Sequence, residues 1–218
     1  MKSVLISIQP KWCELIASGK KTVEVRKTRP KIDEPFKCYI YMTKGKWYKD
    51  NKNKWHYGNG KVIGEFVCEA ILNYECEFVD DDCYEKIASV CVDEDGDEIG
   101  FIEWSNDGDI PYEDTFFYKT SRVGYEELKK YIGIGFGTFY GWHISDLVIY
   151  DKPKELSEFF IYCGDNPKCD GCEAHYYSNT ESGKEEYCCS VIDGCRPLKR
   201  PPQSWCYVDH PTEKGGVE

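Results

Sequence analysis

The stretch Gly19-Lys20-Lys21-Thr22-Val23-Glu24-Val25-Arg26 combines two lysines, a hydroxyl, a carboxylate and a guanidinium within eight residues. If it runs as a strand from Thr22, the alternation of side chains places Val23 and Val25 on one face. The other face then carries three polar side chains, those of Thr22, Glu24 and Arg26. We expect the valines to be buried. The polar side chains pair with each other, bind a ligand together, or form the solvated face of an exposed strand.

Short elements precede this stretch. The β-branched run Val4-Leu5-Ile6-Ser7-Ile8 ends before Pro10 and predicts a buried strand. Residues 11–18 then predict a helix of about two turns, with Pro10 at its start and Gly19 as its C-cap. The buried stripe of this helix is expected to hold Trp12, Leu15 and Ile16.

Further elements follow up to residue 160. The residue pattern predicts strands at 36–43, 61–72 and 139–150 and helices at 82–91 and 121–132. The glycines of 133–141 lack the Gly-x-Gly-x-x-Gly spacing, which excludes a dinucleotide-binding loop. Because strands and helices do not alternate regularly, we predict an α+β domain at residues 1–160, built as a small β-barrel with short flanking helices.

The net charge of −11 is unevenly distributed. Residues 1–61 hold fifteen Lys and Arg against five Asp and Glu, whereas residues 62–118 hold one against eighteen. The basic first quarter is able to attract phosphates, and its loop at 44–61 interleaves aromatic residues with lysines, as base-stacking surfaces do. The alternatives are that the two charged segments neutralise each other and that the aromatic residues anchor the loop. We expect the acidic segment at about 75–114 to be a solvated insertion.

The apolar content bears on the compartment. No window of eighteen or more apolar residues occurs, and the apolar run at 4–8 is too short for a signal peptide. We therefore expect a cytoplasmic protein without a membrane partner. Thiols stay reduced in the cytoplasm, so the thirteen cysteines favour metal ligands or buried packing over disulfides.

Seven of the thirteen cysteines lie in residues 163–218. Cys169-Asp170-Gly171-Cys172 has the spacing of a metal-binding knuckle. We predict a structural zinc ion that stabilises a Cys-rich annex at 161–211, a segment too short and polar to form its own core. The predicted ligands are Cys169, Cys172, Cys195 and Cys206. The alternative ligands are Cys163, Cys188, Cys189 and His175.

The end of the chain is rich in proline. Residues 196–207 are expected to be extended and to dock on the first domain, because Trp205 needs burial. The alternative is that their Arg and Lys side chains, with Trp205, dock on a phosphate-bearing partner. Residues 212–218 are expected to be disordered.

Three segments together resemble a known family. They are Ser7-Ile8-Gln9-Pro10, residues 19–27 and residues 140–147. Over about residues 1–160 the chain resembles the ASCH domain, a relative of the PUA fold, and Gly-Lys-Lys-Thr-x-Glu-x-Arg is the most specific part of the match. The layout, with its Cys-rich C-terminal extension, also resembles proteins of phages and prophages.

The resemblance implies a PUA-like barrel whose cleft binds RNA or a modified nucleoside. The residues expected to bind this ligand are Lys20, Lys21, Thr22, Glu24, Arg26, Arg29, Trp142 and His143. From its place between Trp142 and Ile144, however, His143 is better explained as a packed or hydrogen-bonded core histidine than as a catalytic one.

The resemblance also implies a hydrolase as an alternative. Some small members are amidohydrolases of acetylated cytidine, and another branch has ribonuclease activity. Lys21 and Glu24 would then be the catalytic residues. Lys21 matches the lysine of the amidohydrolases, whereas Glu24 stands where they carry a threonine. A third hypothesis is an interaction module whose acidic insertion and tail bind a host protein.

Overall fold

The computed structural model describes residues 2–45, 48–49, 55–78, 86–92, 98–105, 111–161, 175–179, 185–189 and 197–209. The strands are β1 (Lys2–Ile8), β2 (Val23–Arg26), β3 (Phe36–Met42), β4 (Tyr48–Lys49), β5 (Trp55–His56), β6 (Val62–Phe78), β7 (Lys86–Val92), β8 (Glu98–Ser105), β9 (Gly135–Lys154), β10 (Phe160–Ile161), β11 (His175–Asn179), β12 (Glu185–Cys189) and β13 (Trp205–Asp209). The helices are α1 (Pro10–Ala17), α2 (Phe116–Ser121) and α3 (Tyr125–Ile132), with short 3-10 turns at Tyr112–Asp114 and Leu156–Glu158.

Nine strands form one mixed sheet. Its order is β10-β13-β1-β3-β6-β7-β8, and β9 pairs with both β6 and β2. The long strand β6 pairs with β9 along one edge, and its other edge pairs first with β3 and then with β7. Two further ladders, β4 with β5 and β11 with β12, stand apart from this sheet.

The predicted barrel is wrong, because the sheet formed by the described strands is open and branched. β1 and β3 are parallel, whereas the other pairs are antiparallel. Strands β6 and β9 run well beyond the predicted limits of 61–72 and 139–150. Residues 73–77, in the part of β6 beyond the predicted limit, pair with β7. Among the described strands, this part of the sheet does not pair with β1, so the sheet does not close. The mixed sheet with few helices agrees with the predicted α+β class.

Most predicted elements near the start of the chain are confirmed, and one later helix is wrong. Strands β1 and β3 and helix α1 lie where the pattern places them. The helix predicted at 82–91 is replaced by strand β7 over its described part. β-Branched residues and pairing with β6 decide the structure there. The helix predicted at 121–132 begins only at Tyr125, since Arg122 adopts a left-handed conformation with φ 58° after α2.

The core covers both faces of the central strand β1. Val4 and Ile6 point into one apolar cluster together with Trp142, and Leu5 points into a second cluster with Phe159. A strand buried on both faces reads as a continuous apolar run, as 4–8 does. A third cluster lies under α2 and α3 and contains Tyr74 and Phe139, whose rings stack 5.0 Å apart.

The chain returns to this sheet near its C-terminal end. β13 lies antiparallel to β1, with Val208 opposite Ser3. As expected, Trp205 docks on the first domain, where its Nε1 donates a hydrogen bond of 3.0 Å to Thr28 Oγ1.

None of the helices in the described ranges is long and apolar enough to cross a membrane. The predicted disordered segment 212–218 lies outside those ranges.

Candidate functional site

The end of helix α1 turns Lys21 into the protein. Gly19 has φ 70°, and its N–H donates to the oxygen of Ile16 while that of Lys20 donates to Leu15. This pair of bonds is a Schellman motif, which reverses the chain after a helix. The C-cap itself is Ser18, and Gly19, predicted as the C-cap, is the left-handed glycine directly after it. Lys20 is left in solvent, whereas Lys21 is only 2% exposed.

Strand β2 is buried on both of its faces. Val23 and Val25 are buried as predicted, but Glu24 and Arg26 on the opposite face are buried too, which excludes a solvated ladder. Gly141 of β9 lies opposite Val25 in the antiparallel pair. A Cβ on Gly141 would come within 2.8 Å of Val23 Cγ1. The glycine therefore lets β2 lie close against β9.

Lys21, Glu24 and Arg26 form a buried ion cluster. Lys21 Nζ lies 3.3 Å from Glu24 Oε2, and Arg26 Nη2 lies 3.0 Å from Glu24 Oε1. Main-chain oxygens complete the cation contacts: Lys21 Nζ donates 2.7 Å to Ser121 O, and Arg26 Nη2 donates 2.7 Å to Ser7 O. The sequence prediction of a shared polar face is confirmed for Glu24 and Arg26, and Lys21 joins them.

The charge of this cluster is not balanced, because two cations share one carboxylate. Burial lowers the pKa of the Lys21 ammonium, and the nearby Glu24 carboxylate counteracts the shift. Within the described part of the chain, Glu24 Oε2 accepts no aligned hydrogen bond and Arg26 Nε has no acceptor. With Lys21 protonated, the cluster therefore carries one excess positive charge, and Glu24 Oε2 and Arg26 Nε leave hydrogen-bonding capacity unused.

The ion cluster lines a cavity of about 690 Å³. The end of β1, α1, β2, α3 and residues 203–204 contribute to its wall. Two aromatic side chains line it as well. Trp12 lies under the Lys21 ammonium, with Nζ 5.0 Å from the ring centroid, and Tyr131 is 40% exposed. Lys130 adds a third cation to the lining, and Glu127, which is paired with Lys11, adds a second carboxylate. This volume suits one nucleoside-sized ligand.

Three of the predicted ligand residues on the opening stretch lie outside this cavity. Lys20 is exposed, and its main-chain oxygen accepts a hydrogen bond from Arg122. Thr22 uses its main chain to bond α2 and β9. Arg29 forms an exposed ion pair of 3.0 Å with Glu34.

The two residues predicted on β9 do not line the cavity either. Trp142 is fully buried in the first apolar cluster, edge-on to Phe36 at 5.8 Å. His143 points the other way and lies 3.8 Å from Glu69, partly exposed. Its packed-core interpretation is not supported by that exposure.

Several lining residues were not expected from the sequence. Tyr131 and Lys130 come from α3, more than one hundred residues after the opening stretch, and no local pattern points to them. Ser7 belongs to Ser7-Ile8-Gln9-Pro10, one of the segments that carry the family resemblance. That resemblance is the one sequence signal that could have placed Ser7 at the cavity. Trp12 had been assigned to the buried stripe of its helix.

No group of three or more potential metal ligands exists among the residues that the structure describes. Cys169, Cys172 and Cys195 lie outside those residues, as do the side chains of the alternative ligands. Cys206 lies on β13 opposite Leu5, and burial raises the pKa of its thiol to about 11. The zinc site stays a prediction.

Comparison with known proteins supports the family resemblance over part of the chain. Residues 6–89 match the ASCH domain family. A crystal structure of ASCH from Zymomonas mobilis has 19% identity and a TM-score of 0.42, covering 71% of this chain and 73% of its own. Structures of a Tyr-to-Phe and a Ser-to-Ala mutant of that protein give the same identity and TM-score, covering 72% and 71% of this chain and 77% and 74% of theirs. Curated proteins give no significant match.

Proposed function

We propose that the cavity beside the buried ion cluster binds RNA or a modified nucleoside. ASCH domains are generally RNA-binding domains of the PUA-like type, and this chain carries an ASCH match at residues 6–89. The observation that supports the proposal most is the excess positive charge of Lys21 and Arg26 over Glu24 at the cavity wall.

An anionic or carbonyl-rich ligand would compensate this charge. A buried cation without a full complement of partners is costly, so a phosphate or base oxygen placed beside it is bound strongly. The guanidinium of Arg26 suits such oxygens because its donors form a rigid fork. Lys130 at the same cavity supplies a further contact for a phosphate.

The aromatic lining suits a base. Proteins that recognise unpaired RNA stack bases on aromatic side chains. Tyr131 is exposed enough for a base to cover its ring, and Lys27 Nζ lies 5.1 Å from the centroid of that ring. We assign Tyr131 as the stacking residue of the cavity.

The test is a binding titration of wild-type protein and two matched variants with short single-stranded RNA of random sequence. Tyr131→Ala removes the proposed stacking ring and should weaken binding roughly 5- to 150-fold, since one stacked base contributes about 1–3 kcal/mol. Phe136→Ala removes an aromatic ring that is 68% exposed and does not line the cavity, and it should bind like the wild type. Equal affinities of the two variants, or no binding by the wild type, would overturn the proposal.

A hydrolase is the second candidate, and one observation favours it. A lysine whose pKa is lowered by burial is more often neutral, so Lys21 could accept a proton or attack a carbonyl. Glu24 lies at 3.3 Å and could exchange that proton. The amide of acetylated cytidine and the phosphodiester of RNA are the candidate substrates.

Turnover assays decide between a binder and a hydrolase. Purified protein is incubated with N4-acetylcytidine and, separately, with labelled RNA, and the products are separated by chromatography. Turnover that is lost in Lys21→Met and kept in Lys20→Met would support the hydrolase. If the protein retains the ligand and forms no product, the hydrolase is refuted and the binding function is supported.

Three further proposals concern the zinc annex, the type of protein and a host partner. We retain a zinc-stabilised annex with Cys169, Cys172, Cys195 and Cys206 as ligands, supported by the knuckle spacing. The phage or prophage type and a host-protein partner rest on the layout of the chain and its acidic segment. Pull-down from a bacterial lysate, with bound RNA and bound protein analysed separately, tests the host-partner hypothesis.

A further inference from the structure

A second cavity of about 570 Å³ adjoins the first. Thr43 lines both. The chain after Thr43 contributes Gly45 to the first cavity and Lys44 to the second. The C-terminal segment likewise contributes Gln203 and Ser204 to the first and Lys199 and Pro201 to the second. Two segments of chain, 43–45 and 199–204, therefore run from one cavity to the other.

Both segments are fixed to the end of β1. Thr43 N–H donates to Ile8 O at 2.9 Å, and Ser7 N–H donates to Ser204 O at 2.8 Å. The Ser7 hydroxyl donates a hydrogen bond of 2.7 Å to Pro202 O. Since Ser7 O also accepts from Arg26, one residue holds both the ion cluster and the segment that connects the two cavities.

Residues 199–201 form an exposed arch between two attached points. On one side of the arch, Leu198 is buried and its N–H donates to Phe159 O at 2.8 Å. On the other side, residues 202 and 204 are attached to Ser7. The extended distance from Lys199 to Gln203 is at most about 14 Å. The arch is short and anchored, so its basic side chains stand at a defined place beside the cavities.

The second cavity is positively charged. Lys44 and Lys199 line it, and Arg200 on the arch is exposed. No carboxylate in the described ranges pairs with any of these three side chains. Glu155, the acidic residue of the lining, is paired with Lys61 at 2.5 Å. The aromatic residue of the lining, Tyr41, is buried. The accessible part of the lining therefore offers unpaired cations, which are the groups that bind phosphates.

We propose that the two cavities form one groove for a single RNA strand, with one nucleotide in the first cavity and the phosphates of the adjacent nucleotides at Lys44 and Lys199. This inference rests on the proposed function of the first cavity and names its ligand class as a strand rather than a free nucleoside. The C-terminal segment 199–204 is a wall of the groove and takes part in binding.

The test is calorimetric titration with a mixture of the four nucleoside 5′-monophosphates and with random-sequence RNA of two, four and eight nucleotides. For the wild type, affinity should rise about 10-fold or more from mononucleotide to tetranucleotide as phosphate contacts are added. In a Lys44→Ala/Lys199→Ala variant, the ratio of tetranucleotide to mononucleotide affinity should fall to about 3 or less. The dependence of log affinity on log salt should lose about 0.7 for each phosphate contact removed, that is about 1.4 in total.

A matched control removes two exposed lysines that line neither cavity. Lys119→Ala/Lys152→Ala changes the net charge equally and should keep the wild-type length dependence and salt dependence. Equal affinity of the wild type for mononucleotides and tetranucleotides, or an unchanged salt dependence in Lys44→Ala/Lys199→Ala, would overturn the groove while leaving the proposed function of the first cavity in place. Absence of binding to every ligand would overturn that function itself.

Discussion

Lys21 Nζ donates a hydrogen bond of 2.7 Å to the main-chain oxygen of Ser121, a residue one hundred positions further along the chain. The acceptor is the last residue of α2, and the donor follows the turn after α1. The bond therefore connects the turn after α1 with the C-terminal end of α2. It also places the ammonium where Glu24 and the Trp12 ring share it.

Lys21→Met should destabilise the protein by about 3 kcal/mol in urea unfolding, because breaking a buried ion pair leaves its partner charge and acceptor poorly compensated. Arg26 still pairs with Glu24 in this variant, so the destabilisation should lie at the lower end of the range of about 3–5 kcal/mol for a broken buried ion pair. Lys20→Met makes the same change on the exposed neighbour and should stay within about 0.5 kcal/mol of the wild type. Unfolding of Lys21→Met at the wild-type urea midpoint would contradict the buried ion cluster.

The stability difference between wild type and Lys21→Met should depend on pH. Burial lowers the pKa of Lys21 in the folded protein below its unfolded value of about 10.4. Between these two pKa values the unfolded chain binds more protons, so the free energy of unfolding rises with pH. The wild type should therefore gain stability relative to Lys21→Met as pH rises towards about 10. Urea unfolding of both proteins at several pH values measures this, and a difference that falls with pH would show that the lysine pKa is raised instead.

Gly141→Ala should weaken both the fold and the site. The added methyl group would lie 2.8 Å from Val23 Cγ1 and 2.9 Å from Tyr74 Cε2, so β2 must move away from β9. Overpacking of this kind costs about 1–3 kcal/mol. RNA affinity should fall as well, because Glu24 and Arg26 move with β2.

Gly124→Ala is the matched control for this change. Its Cβ would meet only Glu127 Oε2, at 3.8 Å, and its cost should stay below about 1 kcal/mol. If both glycine variants bind RNA with wild-type affinity, ligand binding does not depend on the position of β2, which contradicts the prediction for Gly141→Ala.

Elemental analysis of purified protein should find about one zinc ion per chain, because four thiolates complete a structural zinc site. A Cys169→Ser/Cys172→Ser variant should lose the metal, whereas Cys38→Ser, at a buried position in β3, should keep it. Cys206→Ser identifies the fourth ligand: loss of zinc assigns Cys206, and retention assigns another cysteine of the tail. A folded wild type without zinc would refute the annex proposal.

Local alternation was sufficient to predict the first part of the fold. Strands β1, β2 and β3 follow from β-branched and alternating residues, and α1 from Pro10 and Gly19 at its ends. The barrel could not be judged in this way. Whether a sheet closes depends on which distant strands pair along β6 and β9, and the period of a strand carries no information about its partners.

The candidate site was predicted only in part, because local alternation does not show which distant residues meet. The spacing of Glu24 and Arg26 on one strand face is a local property and was visible in the sequence. The site is completed by Ser121, which contacts Lys21, by Ser204, which contacts Arg26, and by the lining residues of α3, all of which approach only in the folded chain. Trp142 is directly opposite Glu24 on the neighbouring strand, yet its side chain belongs to the core. Register alone does not tell which face a cavity occupies.

The pairing of β1 with β13 determines when the site is complete during synthesis. Roughly 200 residues separate Ser7 from Ser204, and ribosomes add about 5–20 residues per second. For on the order of 10–40 s, a nascent chain thus displays β1 with an unpaired edge and Arg26 without its C-terminal neighbour. The wall at 199–204 is unable to form until these residues have been synthesised and β13 has paired with β1.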